Sequence, residues 1–143
     1  MFTKTSAALA AVLMLSGAAW ADTVEVQMLN KGAAGTMVFE PAFVHIAPGD
    51  TVKFVASSKG HNAETVDGMI PAGAAPFKGK VNEEIEVTLD VDGLYAVKCL
   101  PHFAMGMVMT IAVGDAVTMP DGYLEGRLPK KAKERFQEQL GKL

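Results

Sequence analysis

The stretch Leu94-Tyr-Ala-Val-Lys98, Cys99-Leu-Pro-His-Phe-Ala-Met-Gly106, Met107-Val-Met-Thr-Ile-Ala-Val113 decides how this chain folds. Two runs rich in β-branched and apolar residues flank a tight loop, so one strand ends where the loop begins and another starts where it closes. The turn Asp92-Gly93 precedes the first run and Gly114-Asp115 closes the second. The loop opens on the only cysteine of the chain and carries a histidine three residues later.

Upstream, the same grammar repeats. Val24, Val26 and Met28 alternate with Glu25 and Gln27, Thr51–Val55 follows the turn Pro48-Gly49-Asp50, and Ile85, Val87 and Leu89 alternate with Glu86 and Thr88. A period of two marks a strand with one buried face, and seven or so such strands between Thr23 and Val113 predict a β-sandwich. Between Lys59 and Lys80 the alternation stops. Gly68, Pro71, Gly73, Pro76 and Gly79 make this stretch an irregular crossover that carries His61 near its start.

Past Val113 the pattern changes. Ala132, Phe136 and Leu140 recur every four residues after Pro129, which suits the first turn of a helix over Pro129–Leu140. A second short helix is expected at Asp115–Gly126, interrupted by Pro120 and Gly122. The apolar stripe of the tail is expected to pack on its own domain. No repeat or break in composition implies a second domain.

The amino terminus reads as an export signal. Lys4 is a basic start, Ala7–Leu15 an apolar run, and Ala19-Trp20-Ala21 a small-x-small cleavage site. The run falls short of the roughly 20 residues needed to span a bilayer. Residues 1–21 are therefore expected to be a signal peptide cleaved after Ala21, leaving residues 22–143 as one domain in the periplasm, not inserted in a membrane. Without Lys4 the domain has 12 basic residues against 16 acidic, a formal charge near −4. Such a balance gives no support to nucleic-acid binding, which relies on a basic face.

A lone cysteine in an exported protein cannot form an internal disulfide and serves as a free thiol, an intermolecular link or a ligand. Its neighbours favour the last. From a single turn, Cys99 and His102 can converge on one ion, with Pro101 restricting the loop. A structural zinc site needs further Cys or His donors. His61, 38 residues before Cys99, is the best-placed third donor, because strand ends distant in sequence meet at one pole of a sandwich. His45, in Phe43-Val44-His45-Ile46, reads as a strand surface residue. Met105, Met107 and Met109 compete for a fourth position, and spacing alone leaves the choice open. One thiolate, two imidazoles and a thioether are the donor set of a blue-copper electron-transfer site, with the thioether long and weak. A periplasmic copper-binding or delivery protein is the alternative; it would use Met105-Gly-Met107-Val-Met109 and would not show intense thiolate-to-Cu(II) absorption. No spare titratable cluster points to an enzyme.

Several segments in order, Met28-Leu-Asn-Lys-Gly32, Met37-Val-Phe-Glu-Pro41, Pro48-Gly-Asp-Thr-Val52, Lys59-Gly-His-Asn62, Gly68-Met-Ile-Pro71 and Val97-Lys-Cys99 through Pro101-His102 to Met105-Gly-Met107-Val108, resemble the pseudoazurins of the cupredoxin family. The resemblance covers the whole length after the signal. It implies a mainly β, Greek-key sandwich or barrel with strands over about 23–113 and a helical tail over about 115–142. It implies one copper ion cycling between Cu(I) and Cu(II), held by His61, Cys99, His102 and the second methionine of Met-Gly-Met, Met107. Around the metal it implies Asn62 tying the two ligand loops, Met37 packed near the second histidine, and Pro101 shaping the loop. Lys31, Lys59, Lys78 and Lys98, with the apolar Phe103 and Ala104, match the docking face. Leu100 and Phe103 stand where related sequences often carry a smaller or different residue, which alters the loop's exposed surface. By resemblance the protein is a monomeric electron shuttle that takes electrons from a donor such as a cytochrome. Its acceptor is a redox enzyme, a dissimilatory nitrite reductase of denitrification.

Overall fold

The structure is a computed structural model that describes residues 20–143, so the stretch expected to be a signal peptide, residues 1–21, lies almost wholly outside the described residues. Among the described residues eight strands form two four-stranded sheets. They are β1 (Thr23–Gly32), β2 (Gly35–Glu40), β3 (Phe43–Ile46), β4 (Thr51–Val55), β5 (Glu64–Thr65), β6 (Ile85–Thr88), β7 (Gly93–Lys98) and β8 (Val108–Val113), followed by the helix α1 (Lys130–Leu140). One sheet has the order β2-β1-β4-β6 and the other β3-β8-β7-β5. β1 pairs parallel with β4, and β3 parallel with β8, while the other pairs are antiparallel.

The strands expected from alternation are present within one or two residues at most ends. β5 interrupts the Lys59–Lys80 crossover: Glu64 and Thr65 pair with Lys98 and Val97, pinning the start of the crossover beside β7. The helix predicted at Pro129–Leu140 is present, with Pro129 as its N-cap. The second short helix does not form. Residues 115–129 are turns and irregular chain, and Pro120 and Gly122 (φ 71°) stop any helical run there. The helical tail is thus confined to residues 130–140.

β8 is buried at all six positions, which is why its sequence runs apolar without alternating. Met109, Ile111 and Val113 face the sandwich interior with Val26, Met28, Phe39, Phe54, Tyr95 and Val97. Val108 and Ala112 face outward, where Tyr123, Ala132 and Phe136 cover them together with Leu94 and Ala96 of β7. The tail therefore acts as a third layer over the second sheet. Its polar contacts are also internal: Thr110 Oγ1 donates to Gln139 Oε1 (2.8 Å), and Gln139 Nε2 donates to the Val108 carbonyl (3.0 Å), satisfying groups that the helix buries.

The inward register continues past the strand ends. Cys99 has the parity of Tyr95 and Val97, and Met107 that of Met109 and Ile111, so both sulfur side chains enter the core cluster. The Cys99 N–H donates to the Met107 carbonyl at 3.0 Å, closing the loop between β7 and β8.

Because Phe136 is fully buried between α1 and the second sheet, Phe136→Ala is expected to lower unfolding free energy by about 3 kcal/mol. Urea denaturation of the metal-free protein measures this; a change below about 1 kcal/mol would mean that the helix contributes little to the fold.

Candidate metal centre

Three donors converge at one end of the sandwich. Leu100–Met105 is a 3₁₀ segment broken at His102 (φ −121°, ψ 19°), a kink that sets this imidazole apart from the helical direction of its neighbours. Its backbone is held by the Cys99 carbonyl, which accepts from the His102 N–H (3.2 Å), and by the His102 carbonyl, which accepts from the Met107 N–H (3.1 Å). Gly106 ends the segment at φ 85°, and a Cβ there would lie 3.0 Å from Lys131 Cγ, so both backbone and space demand glycine.

His61, Cys99 and His102 bring one ligand atom each to within 4.8 Å of one another. Cys99 Sγ lies 3.6 Å from His61 Nδ1 and 3.5 Å from His102 Nδ1, and the two nitrogens are 3.1 Å apart. A point equidistant from all three lies about 2 Å from each, the length of a metal–imidazole bond. The tautomer fits as well. His61 Nε2 donates to Asn30 Oδ1 (2.7 Å), so the neutral ring presents the bare lone pair of Nδ1 to the centre of the triangle. A soft thiolate and two imidazoles suit copper.

The polar surroundings fix the donors in place. Asn62, next to His61, accepts from the Leu100 N–H with Oδ1 (2.7 Å), joining the two ligand-bearing loops. Its Nδ2 donates to Glu64 Oε1 (2.9 Å) and to the Gly79 carbonyl (3.1 Å). The Gly60 N–H donates to Asn82 Oδ1 (2.7 Å), fastening the other side of His61. Burial, and to a lesser degree the charge of His102, hold the His61 pKa below its ordinary 6.5. Burial pushes the Cys99 thiol up, against the pull of the Asn62 and His102 backbone amides, and the charge of Glu64 adds to the rise.

The methionines separate by depth. Met107 and Met109 are fully buried, whereas Met105 is 46% exposed. They do not form one sulfur-rich surface, as a delivery protein using that run would present. Met107 is the one that adjoins Cys99 through the main chain. Met37 is half-buried at φ 52° and packs against the core cluster that includes Cys99 and Met107. His45 is exposed on β3, with Nε2 against the Gly114 carbonyl and apart from the triad.

Pro101 and Ala104 are exposed, and His102 and Phe103 are half-buried. Lys98 Nζ sits 4.9 Å from the centre of the Phe103 ring, a cation–π contact. Lys31 follows Asn30, Lys59 precedes the His61 turn, and the backbone of Lys78 pairs with that of Glu64 in an isolated antiparallel bridge; all three lysines are exposed.

Asn30, Glu64 and Asn82 were not singled out by sequence reasoning. Asn30 had a signal: it continues the inward register of Val24, Val26 and Met28 as a polar residue at the mouth of the sandwich. Glu64 and Asn82 gave none.

The profile of "Copper binding proteins, plastocyanin/azurin family" matches residues 26–114. The pseudoazurin of Paracoccus pantotrophus is 48% identical over 138 residues, 96% of this chain and 95% of that protein. Two solved structures superpose closely. The pseudoazurin of Methylobacterium extorquens AM1 does so with a TM-score of 0.80, at 41% identity over 85% of this chain and 98% of that one. That of Hyphomicrobium denitrificans has a TM-score of 0.75, at 40% identity over 85% and 98%.

A pH dependence follows from His61. Its unfolded-state pKa is 6.5 and its folded one lower, so the unfolded chain binds a proton that the folded chain resists. Stability is fully present above the ordinary value and is lost as pH falls below it. Melting of the metal-free protein between about pH 7 and about pH 5 should show this loss, and His61→Phe should flatten the curve.

Proposed function

The chain belongs to the copper-binding plastocyanin/azurin family and, within it, to the pseudoazurins, single-copper electron carriers rather than enzymes; from that premise we propose that His61, Cys99, His102 and Met107 hold the copper. The observation that carries this reading is the triangle of two Nδ1 atoms and one Sγ around a point about 2 Å from each. Met107 supplies a buried thioether beside it, the weak fourth donor of such sites. Copper, when bound, supplies a one-electron couple between Cu(I) and Cu(II) that sulfur and imidazole donors tune together.

The protein's part is to hold those donors still. Asn30 fixes the ring of His61, Asn62 locks the His61 turn to the Cys99 loop, and a main-chain bond closes Cys99 to Met107. Side chains held this way move little when the charge at the centre changes, so little energy is spent on rearrangement. Pro101 stiffens the loop, and Met37 packs at its inner side against the same core.

Electrons leave by the His102 edge. It is the half-buried donor, whereas His61, Cys99 and Met107 are all buried. Pro101, Phe103 and Ala104 form a small apolar contact around it. Lys31, Lys59, Lys78 and Lys98 give that contact a basic rim on a chain of net negative charge. A basic rim steers an acidic partner and loses its effect in salt. The partner on this reading is a dissimilatory nitrite reductase, with a cytochrome as donor. The shuttle is monomeric and works in the periplasm after cleavage behind Ala21. Among the described residues no helix is long and apolar enough to cross a membrane.

Two experiments test the reading. Cys99→Ser should remove the intense visible band of the Cu(II) protein, and retention of that band would refute thiolate ligation. Changing Lys59 and Lys98 to Glu should slow electron delivery to nitrite reductase about tenfold or more at low salt. Stopped-flow rates that stay the same in both proteins across salt concentrations would remove the docking face.

A further inference from the structure

The C-terminal helix meets the loop that carries Cys99, His102 and Met107 at Gly106, and one of its side chains hydrogen-bonds there. Arg135 Nη1 donates to the Met37 carbonyl (2.6 Å) and to the Gly106 carbonyl (2.8 Å), and its Nη2 donates to the Thr36 carbonyl (2.9 Å). One guanidinium thus joins β2 to the last residue before Met107. Arginine suits this task because its N–H groups fan out in a rigid plane, while lysine offers a single nitrogen.

Two of these three carbonyls belong to residues in the left-handed region, Gly106 at φ 85° and Met37 at φ 52°. That region is uncommon for a methionine and turns its carbonyl out of the usual strand direction. On its other side Gly106 rests on the main chain of α1, with Lys131 backbone atoms 3.1 Å from where a Cβ would stand. The end of the ligand loop is therefore clasped between the backbone of α1 and the side chain of Arg135. The side chain of Met37 packs against the core cluster that holds Cys99 and Met107.

We propose that Arg135 is a positioning residue of the copper centre: by holding the Gly106 and Met37 carbonyls it sets how closely the Met107 sulfur approaches the metal, and through that the reduction potential. An axial thioether bond is long and weak, so the protein rather than the metal determines its length. Any give at Gly106 passes to Met107 across one peptide unit. The proposal rests on Met107 as the axial donor.

The test uses the purified Cu(II) protein and four variants: Arg135→Met, Arg135→Lys, Phe136→Leu and Met107→Leu. The readouts are the intensity ratio of the two thiolate-to-copper bands, the rhombicity of the EPR signal and the reduction potential, all taken well below the melting temperature. Arg135→Met should keep the blue chromophore while shifting the band ratio and the potential, and Arg135→Lys should shift them less in the same direction. Phe136→Leu loosens the same helix from its core side without touching Gly106 or Met37, and should lower stability with the wild-type spectrum. Wild-type ratio and potential in Arg135→Met overturn the proposal, as does an equal shift in Phe136→Leu. Should Arg135→Met fail to fold, a wild-type ratio and potential in Arg135→Lys overturn it instead. An unchanged spectrum in Met107→Leu removes the axial assignment and this proposal with it. A shifted spectrum there, beside unshifted Arg135 variants, removes this proposal alone.

Discussion

The bond from the Leu100 amide to Asn62 Oδ1, 2.7 Å long, joins two loops whose residues stand 38 positions apart. Without it the crossover that bears His61 would be tied to β7 by the short pairing of β5 and by the main-chain bonds that link Ala96 to Val66 and Met69. Donor atoms about 3 Å apart need a tighter constraint than these backbone links, because a few tenths of an ångström at a ligand change the metal's bonding. The same carboxamide uses its other end on Glu64 and Gly79, so its plane cannot flip without losing two donations. A buried polar network of this kind is stabilising only when every member is satisfied, and no buried side-chain N or O lacks a partner among the described residues.

Around that link the fold divides its labour. The two sheets bury a core that extends up to Cys99 and Met107, so the metal-binding end is anchored on packed side chains rather than on free loop. The tail adds a third layer, and through Arg135 it also reaches the ligand loop. A mobile loop could bind copper, but each change of oxidation state would then reorganise it. The packing beneath and behind the loop opposes that movement.

Much of this was legible in the residues. Alternation in Val24–Met28, Thr51–Val55 and Ile85–Leu89 gave strands because one face of each had to be buried. The tail helix was legible from Ala132, Phe136 and Leu140, though the stripe did not reveal that Gln139 would be buried too, since its partners on β8 lie some 30 residues away in sequence. The expected helix at Asp115–Gly126 failed for a local reason that was also in view, a proline and a glycine within three residues. β5 left no trace, because two residues carry no period.

Taken alone, the sequence determined the chemistry: a single thiol, a histidine three residues on, and methionines beyond it are an inventory of donor types, and donor type selects the metal. It also determined which strand faces are buried, since a period of two is a local property. Only the tertiary structure decided which donors meet. His61 joins Cys99 and His102 because β5 and Asn62 fold a distant turn against the loop, and Met107 is set apart from Met105 by burial at the edge of β8. The bonds of Arg135 to Met37 and Gly106 likewise exist only in three dimensions. Distances between residues far apart in a chain are fixed by packing and by hydrogen bonds across that separation, and which distant residues pair has no signature in the order of the letters.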